Sequence, residues 1–240
     1  MIKEKYQFKK FLTYSHIAHG ISTNAYGSMK HVDDGQIDRV ALSKFAHTVG
    51  SSDDVVVMQQ IHSGNVSIVT HTQQKRISET DGLITNQKNI PLAVLTADCL
   101  PIMFYDPVKK IVGIAHAGYR GLLLHIIEHM IDKFTKEFGS DPDDIQVGIG
   151  PCIETMCYEV GKEVIDKFTK AFPKYKNMYI TKEGKFYLDL KQIALQSLNK
   201  KGILDVHIEI MDICTKCDEQ FYSYRGGDGD KRFASLISLV

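Results

Sequence analysis

Short apolar runs bounded by glycine, aspartate and proline dominate the middle of this sequence. Five of them cover residues 55–58 (VVVM), 66–70 (VSIVT), 92–96 (LAVLT), 102–105 (IMFY) and 111–115 (IVGIA). These runs are rich in β-branched side chains and too short for ordinary helices, so they predict buried strands. Three later runs predict further strands, at residues 206–210 (VHIEI), 221–224 (FYSY) and 232–238 (RFASLIS).

Three segments have the apolar spacing of helices. They cover residues 122–138, 160–172 and 188–201, and Gly202 stands where a C-terminal cap is expected. Strands and helices are mixed without strict alternation, which favours an α+β fold over a doubly wound parallel sheet. Because no Pro/Ser-rich linker divides the chain, we expect one domain over residues 1–240, with a mixed β-sheet core flanked by helices.

The composition excludes several classes of protein. The 29 basic and 29 acidic residues cancel, and no long Lys/Arg run is present, so nucleic acid is not an expected partner. Nowhere do about 18 apolar residues follow one another, and the N-terminal segment lacks the apolar stretch of a signal peptide, so we expect a cytoplasmic protein without a membrane segment. In that compartment the five cysteines are expected to be thiols, metal ligands or core residues rather than disulfides.

Polar side chains follow three of the predicted central strands. His62 comes after VVVM, Cys99 after LAVLT, and His116 after IVGIA. Residues at the ends of neighbouring strands converge in space, and two imidazoles with one thiolate form a tetrahedral zinc set that leaves one position open. An open position is typical of a catalytic zinc. The sequence therefore predicts a metal site formed by these three residues.

Residues next to these candidate ligands have two possible roles each. Arg120 lies in HAGYRG, where small residues let the backbone approach a ligand, so it predicts either an anion site or a tight turn with an exposed arginine. Asp98 adjoins Cys99 and either orients a zinc-bound histidine or caps a helix.

Two further motifs resemble metal sites but are expected not to be. His125, Glu128 and His129 form H-x-x-E-H, the motif of one peptidase class. Helical periodicity puts both histidines opposite the apolar face, which favours a solvated surface. Cys214 and Cys217 form a single CxxC, and neither Cys152 nor Cys157 has the spacing to complete a zinc ribbon, so structural or incidental thiols are favoured.

Seven motifs occur together in the order and spacing of one known family: IHSGN, DGLIT, TADCLPI, IAHAGYRG, IGPCI with CYEV, LDL and FYSYR. Over roughly residues 15–240 the chain resembles the YfiH-like proteins, described both as laccase-type multicopper polyphenol oxidases and as zinc-dependent purine nucleoside phosphorylases. The resemblance implies His62, Cys99 and His116 as ligands of zinc, with copper as the alternative metal. It also implies phosphorolysis of adenosine, inosine and S-methyl-5′-thioadenosine, together with adenosine deamination.

The resemblance extends to other site residues. Cys99, His116 and Arg120 are the candidate catalytic residues, and His19, Asn24, Tyr119 and Arg225 are the candidate substrate contacts. Purine nucleosides and phosphate are the implied partners of a monomer or homodimer. Two positions depart from the family pattern: Tyr119 stands where tryptophan is usual and keeps an aromatic surface, and Gly226 stands where a second basic residue is common.

Other functions remain open from the residues alone. A thiolate at Cys99 activated by His116 suffices for a thiol hydrolase acting on peptides or cell-wall precursors. A copper oxidase is a weaker alternative, because a multicopper site needs paired HxH motifs and this chain has none. A non-catalytic zinc module is disfavoured by the glycines and the arginine beside the open position.

Overall fold

The computed structural model describes residues 5–31 and 35–240. The strands are β1 (Lys5–Tyr6), β2 (Ile17–Ser22), β3 (Val56–Met58), β4 (Val66–Ile68), β5 (Arg76–Ile77), β6 (Gly82–Thr85), β7 (Leu92–Thr96), β8 (Leu100–Asp106), β9 (Ile111–Ala117), β10 (Gln146–Ile149), β11 (Glu159–Val160), β12 (Tyr179–Lys182), β13 (Lys185–Leu188), β14 (Ile208–Ile210) and β15 (Phe233–Leu239). The helices are α1 (Arg39–Thr48), α2 (Tyr119–Leu123), α3 (Ile126–Phe138), α4 (Lys162–Ala171) and α5 (Leu190–Lys200).

The strands form two large mixed sheets and one small antiparallel sheet. The first sheet has the order β1-β2-β15-β7-β3-β5, with β7, β3 and β5 parallel. The second has the order β14-β10-β8-β9-β6-β4, with parallel pairs at its two edges. A third sheet joins β11, β13 and β12. The expected α+β class with a mixed β-sheet core flanked by helices is confirmed.

The two large sheets pack face to face. Alternate residues of each strand form their shared core, for example Val94 from β7 against Met103 and Val112 from β8 and β9. The opposite faces carry the helices: Phe45 of α1 packs on the first sheet, and Phe134 of α3 packs on the second. Each such side chain stabilises the fold by about 1.5–3 kcal/mol through burial. The result is a helix–sheet–sheet–helix arrangement.

The predicted strands are largely present, with shifted ends. Residues 92–96 coincide with β7, whereas 55–58 and 66–70 shorten to β3 and β4, and 102–105 and 111–115 lengthen to β8 and β9. Residues 232–238 correspond to β15, and only the last part of 206–210 is a strand, β14. The predicted strand at 221–224 is wrong, because Ser223 turns inward to donate its hydroxyl to Asp98.

The predicted helices differ in their limits. The segment 122–138 is two helices, α2 and α3, separated at His125, whose φ of 59° is left-handed. The segment 160–172 begins later because Val160 belongs to β11, and 188–201 begins after Leu188, the last residue of β13. Gly202, with φ of 89°, follows the C-cap Lys201 of α5, as expected of a C-terminal glycine. Among the described residues, no helix has the length and apolar character needed to cross a bilayer.

Candidate metal centre

The side chains of His62, Cys99 and His116 meet at one point, as the sequence predicts. One donor atom from each, an imidazole nitrogen or Sγ, lies within 4.8 Å of the other two. The two imidazole centroids are 4.8 Å apart. Donors around a tetrahedral zinc are roughly 3 to 4 Å apart, so modest closure of these side chains would bring them into coordination.

Parallel pairing in the first sheet brings His62 next to Cys99. Strands β3 and β7 are parallel neighbours, with Val56 opposite Leu92, and both end at the same edge. His62 follows β3 in a left-handed conformation, with φ of 59°. Cys99 follows β7 at the point where the chain leaves the first sheet and enters β8 of the second. The sequence argument that residues after adjacent strands converge holds for this pair.

His116 reaches the same point from the second sheet. It lies inside β9 rather than after it, which corrects the expected position, because β9 continues to Ala117. Strand β9 pairs with β8 so that His116 is opposite Pro101, close to Cys99 along the chain. The candidate ligands therefore come from both large sheets.

Asp81 fixes the geometry of both histidines and was not singled out from the sequence. Its carboxylate is fully buried and lies 2.8 Å from Nδ1 of His116. It also accepts the backbone N–H groups of Ile61, His62 and Ser63, and the Ser63 hydroxyl. With Nδ1–H held by Asp81, Nε2 of His116 is the nitrogen free to bind a metal. Asp81 belongs to the DGLIT motif, which was the available sequence signal.

The same contacts shift the pKa values of the site. Burial alone would raise the pKa of the Cys99 thiol, but the positive charge and hydrogen bond of His116, with a hydrogen bond from His62, lower it to about 6. Burial would lower the pKa of His116, but the Cys99 thiolate and Asp81 raise it to about 9. Burial opposes ionisation of Asp81 too, yet His116 and Ser63 lower its pKa to about 2. Both histidines thus favour the thiolate form of Cys99, which is the form that binds metals.

A glycine lets the backbone approach the three donors. A Cβ added at Gly118 would lie 2.9 Å from Cys99 Sγ and 3.0 Å from His62 Nδ1. Any larger residue there would displace the donors. The soft thiolate, the two imidazoles and this narrow space fit a zinc-class ion, and they supply one open coordination position.

His62, Cys99 and His116 all line one cavity of about 550 Å³. Five basic side chains and three tyrosines line much of it: Lys30, Arg76, Arg120, Arg225, Arg232, Tyr119, Tyr158 and Tyr224. Lys30 and Arg232 each lie 3.6 Å from the Asp230 carboxylate. Within the described part of the chain, Arg120 and Arg225 have no carboxylate partner, so both are available to an anion.

Arg120 and Arg225 are each placed by an aromatic ring. Arg120 lies in the first turn of α2, and its Nε donates to the Tyr119 hydroxyl at 3.0 Å. The Arg225 guanidinium lies 5.0 Å from the Tyr158 ring centroid and donates to the Glu159 carbonyl. Both arginines are exposed and line the cavity, so both guanidinium groups are accessible to an anion there.

The other candidate residues lie elsewhere. His19 is 1% exposed in β2, where Nε2 accepts the Phe8 N–H at 2.9 Å, and the structure does not bring it to the cavity. Asn24 donates to the Glu219 carbonyl on a separate surface beside Cys214. Asp98 neither orients a histidine nor caps a helix: it accepts the hydroxyls of Thr215 and Ser223 and the backbone N–H of Arg225.

Among the described residues, the side chains of the H-x-x-E-H motif are not part of a group of three or more potential metal ligands. His125 precedes α3 and contacts Glu128 at 3.2 Å, while exposed His129 contacts the Gly64 carbonyl at 2.7 Å. The apolar side of α3 is buried through Ile127 and Met130.

Known proteins share this fold and much of this sequence. The family described as "Multi-copper polyphenol oxidoreductase laccase" matches residues 13–240. The purine nucleoside phosphorylase YlmD of Bacillus subtilis (strain 168) is 33% identical over 237 residues, covering 92% of this chain and 85% of that protein. The purine nucleoside phosphorylase LACC1 of Mus musculus is 30% identical over 208 residues; the match covers 85% of this chain but 47% of the mouse protein.

A solved structure agrees with these matches. The crystal structure of the Bacillus licheniformis hypothetical protein YfiH superimposes with a TM-score of 0.88 at 31% identity, covering 99% of this chain and 97% of that one. Its similarity extends through both large sheets and their helices. The chain belongs to the YfiH-like family described as multi-copper polyphenol oxidoreductase laccases.

Proposed function

We propose that this protein is a zinc-dependent purine nucleoside phosphorylase. Its substrates are adenosine, inosine and S-methyl-5′-thioadenosine, and it also deaminates adenosine. The observation that carries the proposal is the donor set of His62, Cys99 and His116 opening onto a basic and aromatic cavity. Relatives named purine nucleoside phosphorylases support the substrate class.

The three donors would hold the zinc ion, and Asp81 would keep His116 in the tautomer that binds it. When bound, zinc supplies a Lewis acid at the open position beside the cavity. His116 would keep its Nδ1 proton, which it donates to the buried Asp81 carboxylate, so this proton is not available for transfer to substrate. The role of the Cys99 thiolate in this proposal is that of a ligand.

Arg120 and Arg225 would bind phosphate. In phosphorolysis a phosphate oxygen forms a bond to C1′ of the ribose, and the bond from C1′ to the purine nitrogen breaks, with the base taking up a proton. Planar guanidinium groups hold two phosphate oxygens in parallel charge-assisted hydrogen bonds. Two arginines without carboxylate partners at one cavity are therefore suited to hold phosphate in position for this attack.

Tyr119 and Tyr158 would hold the purine. Aromatic rings offer flat surfaces for stacking on a base, and this use tolerates adenine and hypoxanthine alike. Burial raises the pKa of Tyr158, which therefore keeps its hydroxyl proton and can donate a hydrogen bond. Tyr119 preserves an aromatic surface where tryptophan is usual in the family.

Product analysis tests the proposal. Purified protein is incubated with adenosine, with and without phosphate, and its metal is measured. We expect adenine only when phosphate is present, inosine in its absence, and zinc in the protein. Free adenine formed equally without phosphate would show hydrolysis instead, and oxidation of diphenols by a copper-containing protein would support the oxidase reading of the family name.

The Cys99–His116 pair favours a second candidate, a thiol hydrolase. A thiolate beside an imidazolium is the arrangement of a cysteine nucleophile. Alkylation distinguishes the two roles. If Cys99 is a ligand, it reacts slowly in the metal-loaded protein and faster after chelation, and adding zinc before alkylation restores activity. A metal-free protein that is fully active and is inactivated by one equivalent of alkylating reagent at Cys99 would establish the hydrolase.

A further inference from the structure

Three other cysteine side chains converge on two loops next to the cavity. Cys157 ends the short 3-10 turn Thr155–Cys157, and Cys214 and Cys217 flank the turn after β14. Their three Sγ atoms lie within 4.8 Å of one another. Those of Cys157 and Cys217 are 3.3 Å apart although 60 positions separate them in sequence. The sequence spacing favours structural or incidental thiols, whereas the fold brings the three side chains into one cluster.

The spacing of these sulfurs suits a tetrahedral metal ion. A zinc–sulfur bond of about 2.3 Å places two coordinated sulfurs about 3.8 Å apart. The Sγ atoms of Cys157 and Cys217 are 3.3 Å apart, and no two of the three are more than 4.8 Å apart. The turn that carries two of the cysteines is closed by backbone hydrogen bonds from Cys217 and Asp218 to the Cys214 carbonyl, at 3.1 and 2.9 Å. This turn holds Cys214 and Cys217 close together before any ion binds.

Backbone amides complement negative charge on the cluster. The Glu154 N–H points at Cys214 Sγ, with a distance of 3.4 Å. Such N–H···S bonds stabilise a thiolate more than a neutral thiol, because charge strengthens a hydrogen bond. The cluster is also reachable from solvent, since Cys217 is exposed and Cys157 and Cys214 are partly exposed. Cys152 provides the contrast: it is fully buried, outside the cluster, and its Sγ donates to the Ile153 carbonyl.

We propose that Cys157, Cys214 and Cys217 form a second metal site that takes one soft, zinc-class cation and clamps these two loops together. Three thiolates select a soft ion, and the exposed side of Cys217 leaves the fourth position to water. The site is separate from the centre of His62, Cys99 and His116 and does not depend on the proposed reaction.

The two loops that the second metal ion would connect carry residues that line or support the cavity. Thr215 lies inside the cysteine turn and donates its hydroxyl to Asp98 at 2.8 Å. Tyr158 and Glu159, directly after Cys157, hold the Arg225 guanidinium through the ring and the carbonyl. Both loops tied by the ion therefore position groups beside Cys99. Loss of the ion is expected to loosen Arg225 without removing the metal bound by Cys99.

Metal analysis of the purified full chain, prepared with zinc, tests the second site. We expect about two zinc ions per chain in the wild type and about one in the Cys157→Ser/Cys217→Ser variant. Cys152→Ser is the matched control and should keep two, because that thiol is outside the cluster. Cys99→Ser should lose the other ion. With cobalt in place of zinc, sulfur-to-metal charge-transfer absorption should fall to about one quarter in the double variant, since one of four metal–thiolate bonds remains.

The wild-type protein alone gives a second measurement, which holds even if the double variant does not fold. Stepwise thiol titration with a mercurial should release two zinc ions, and native mass spectrometry should show both. A wild-type chain that binds one zinc ion, all of it lost in Cys99→Ser, would overturn the second site. So would a native mass lower by two hydrogens, with Cys157 joined to Cys217 and no second ion.

Discussion

The carboxylate of Asp81 lies 2.8 Å from Nδ1 of His116 and also accepts the backbone N–H of His62 at 3.0 Å. One buried side chain thus orients a candidate ligand from each large sheet. Partners of this kind commonly change metal affinity by 10- to 100-fold.

Replacing Asp81 should weaken metal binding without removing a ligand. We expect Asp81→Ala to lower zinc affinity by about 10- to 100-fold, because His116 loses its fixed tautomer and His62 its backbone anchor. Competition with a chromophoric chelator measures the change. Asp106→Ala is the matched control, since that carboxylate is also fully buried and accepts backbone N–H groups, from Val108 and Lys109. Equal affinities in the two variants would contradict the role of Asp81.

Removing a candidate ligand should have a larger effect than removing its partner. His62→Ala, Cys99→Ala and His116→Ala should each abolish metal binding at this centre together with activity, because two donors hold zinc far more weakly than three. His125→Ala and His129→Ala serve as controls that should keep both. Metal content is measured after dialysis against a weak chelator. Full occupancy in a variant lacking all three donors would show that the metal binds elsewhere.

Gly118 should tolerate no side chain. Gly118→Ala is expected to lower metal affinity by at least tenfold, because its Cβ would lie 2.9 Å from Cys99 Sγ. Gly161→Ala is a matched control: both glycines precede a helix with similar extended dihedral angles, but the atoms nearest to Gly161 belong to the flexible end of Glu163. Isothermal titration with zinc compares them. A Gly118→Ala protein with wild-type affinity would mean that the donors adjust easily.

Replacing Arg120 should affect phosphorolysis, which uses phosphate, more than deamination, which uses water. Arg120→Lys is expected to weaken phosphorolysis by roughly tenfold or more, because lysine cannot reproduce two parallel hydrogen bonds worth about 1.5–3 kcal/mol. Zinc content and deamination should be largely retained. Adenine and inosine release from adenosine are followed across a phosphate titration. An unchanged phosphate dependence, or parallel loss of both activities with zinc intact, would assign Arg120 a different role.

His19 should affect stability in acid rather than substrate binding. Burial lowers its pKa to about 4, whereas an unfolded histidine titrates near 6.5. As the pH falls through this window, the unfolded chain takes up the proton first, so folded-state stability is complete above pH 6.5 and declines towards pH 4. Between pH 7.5 and pH 5 the loss from this residue is about 2 kcal/mol.

Urea unfolding at these two pH values checks the role of His19. The His19→Gln variant, whose amide oxygen can still accept the Phe8 N–H, should lose less stability on acidification than the wild type. His47→Gln is the control, since that side chain is 64% exposed. The same acid sensitivity in His19→Gln as in the wild type, combined with a raised KM, would favour a substrate contact instead.

Local patterns predicted most of the central strands and the convergence of the three candidate ligands. The apolar run at residues 92–96 forms the buried strand β7, as its composition predicts. His62 and Cys99 follow β3 and β7, which are parallel neighbours in one sheet. Features that depend on contacts between residues far apart in the sequence could not be predicted from local patterns. The helical spacing of apolar residues continues through His125, but the backbone of that residue is left-handed and separates two helices. The segment FYSY alternates like a strand, but Ser223 instead donates its hydroxyl to Asp98.

Asp81 and Cys157 illustrate what sequence spacing lacks. The DGLIT motif contains Asp81, but nothing in it says that the carboxylate meets residues 61–63 and His116. Cys157 is 60 positions from Cys217, and only the packing of two loops makes them neighbours. In both cases the partner is chosen by tertiary structure, which a local pattern does not encode.

The passage of the chain from β7 to β8, with Asp98 at φ of 86°, leaves Cys99 at the seam between two stacked layers. An ion held by His62, Cys99 and His116 would then connect the two large sheets at this position. Its binding free energy would add to the cohesion of the layers, and the gain would grow with the logarithm of free metal concentration. At low free metal concentration the free energy of unfolding of the whole protein would be lower. The abundance of the protein in a cell would then depend on the metal supply.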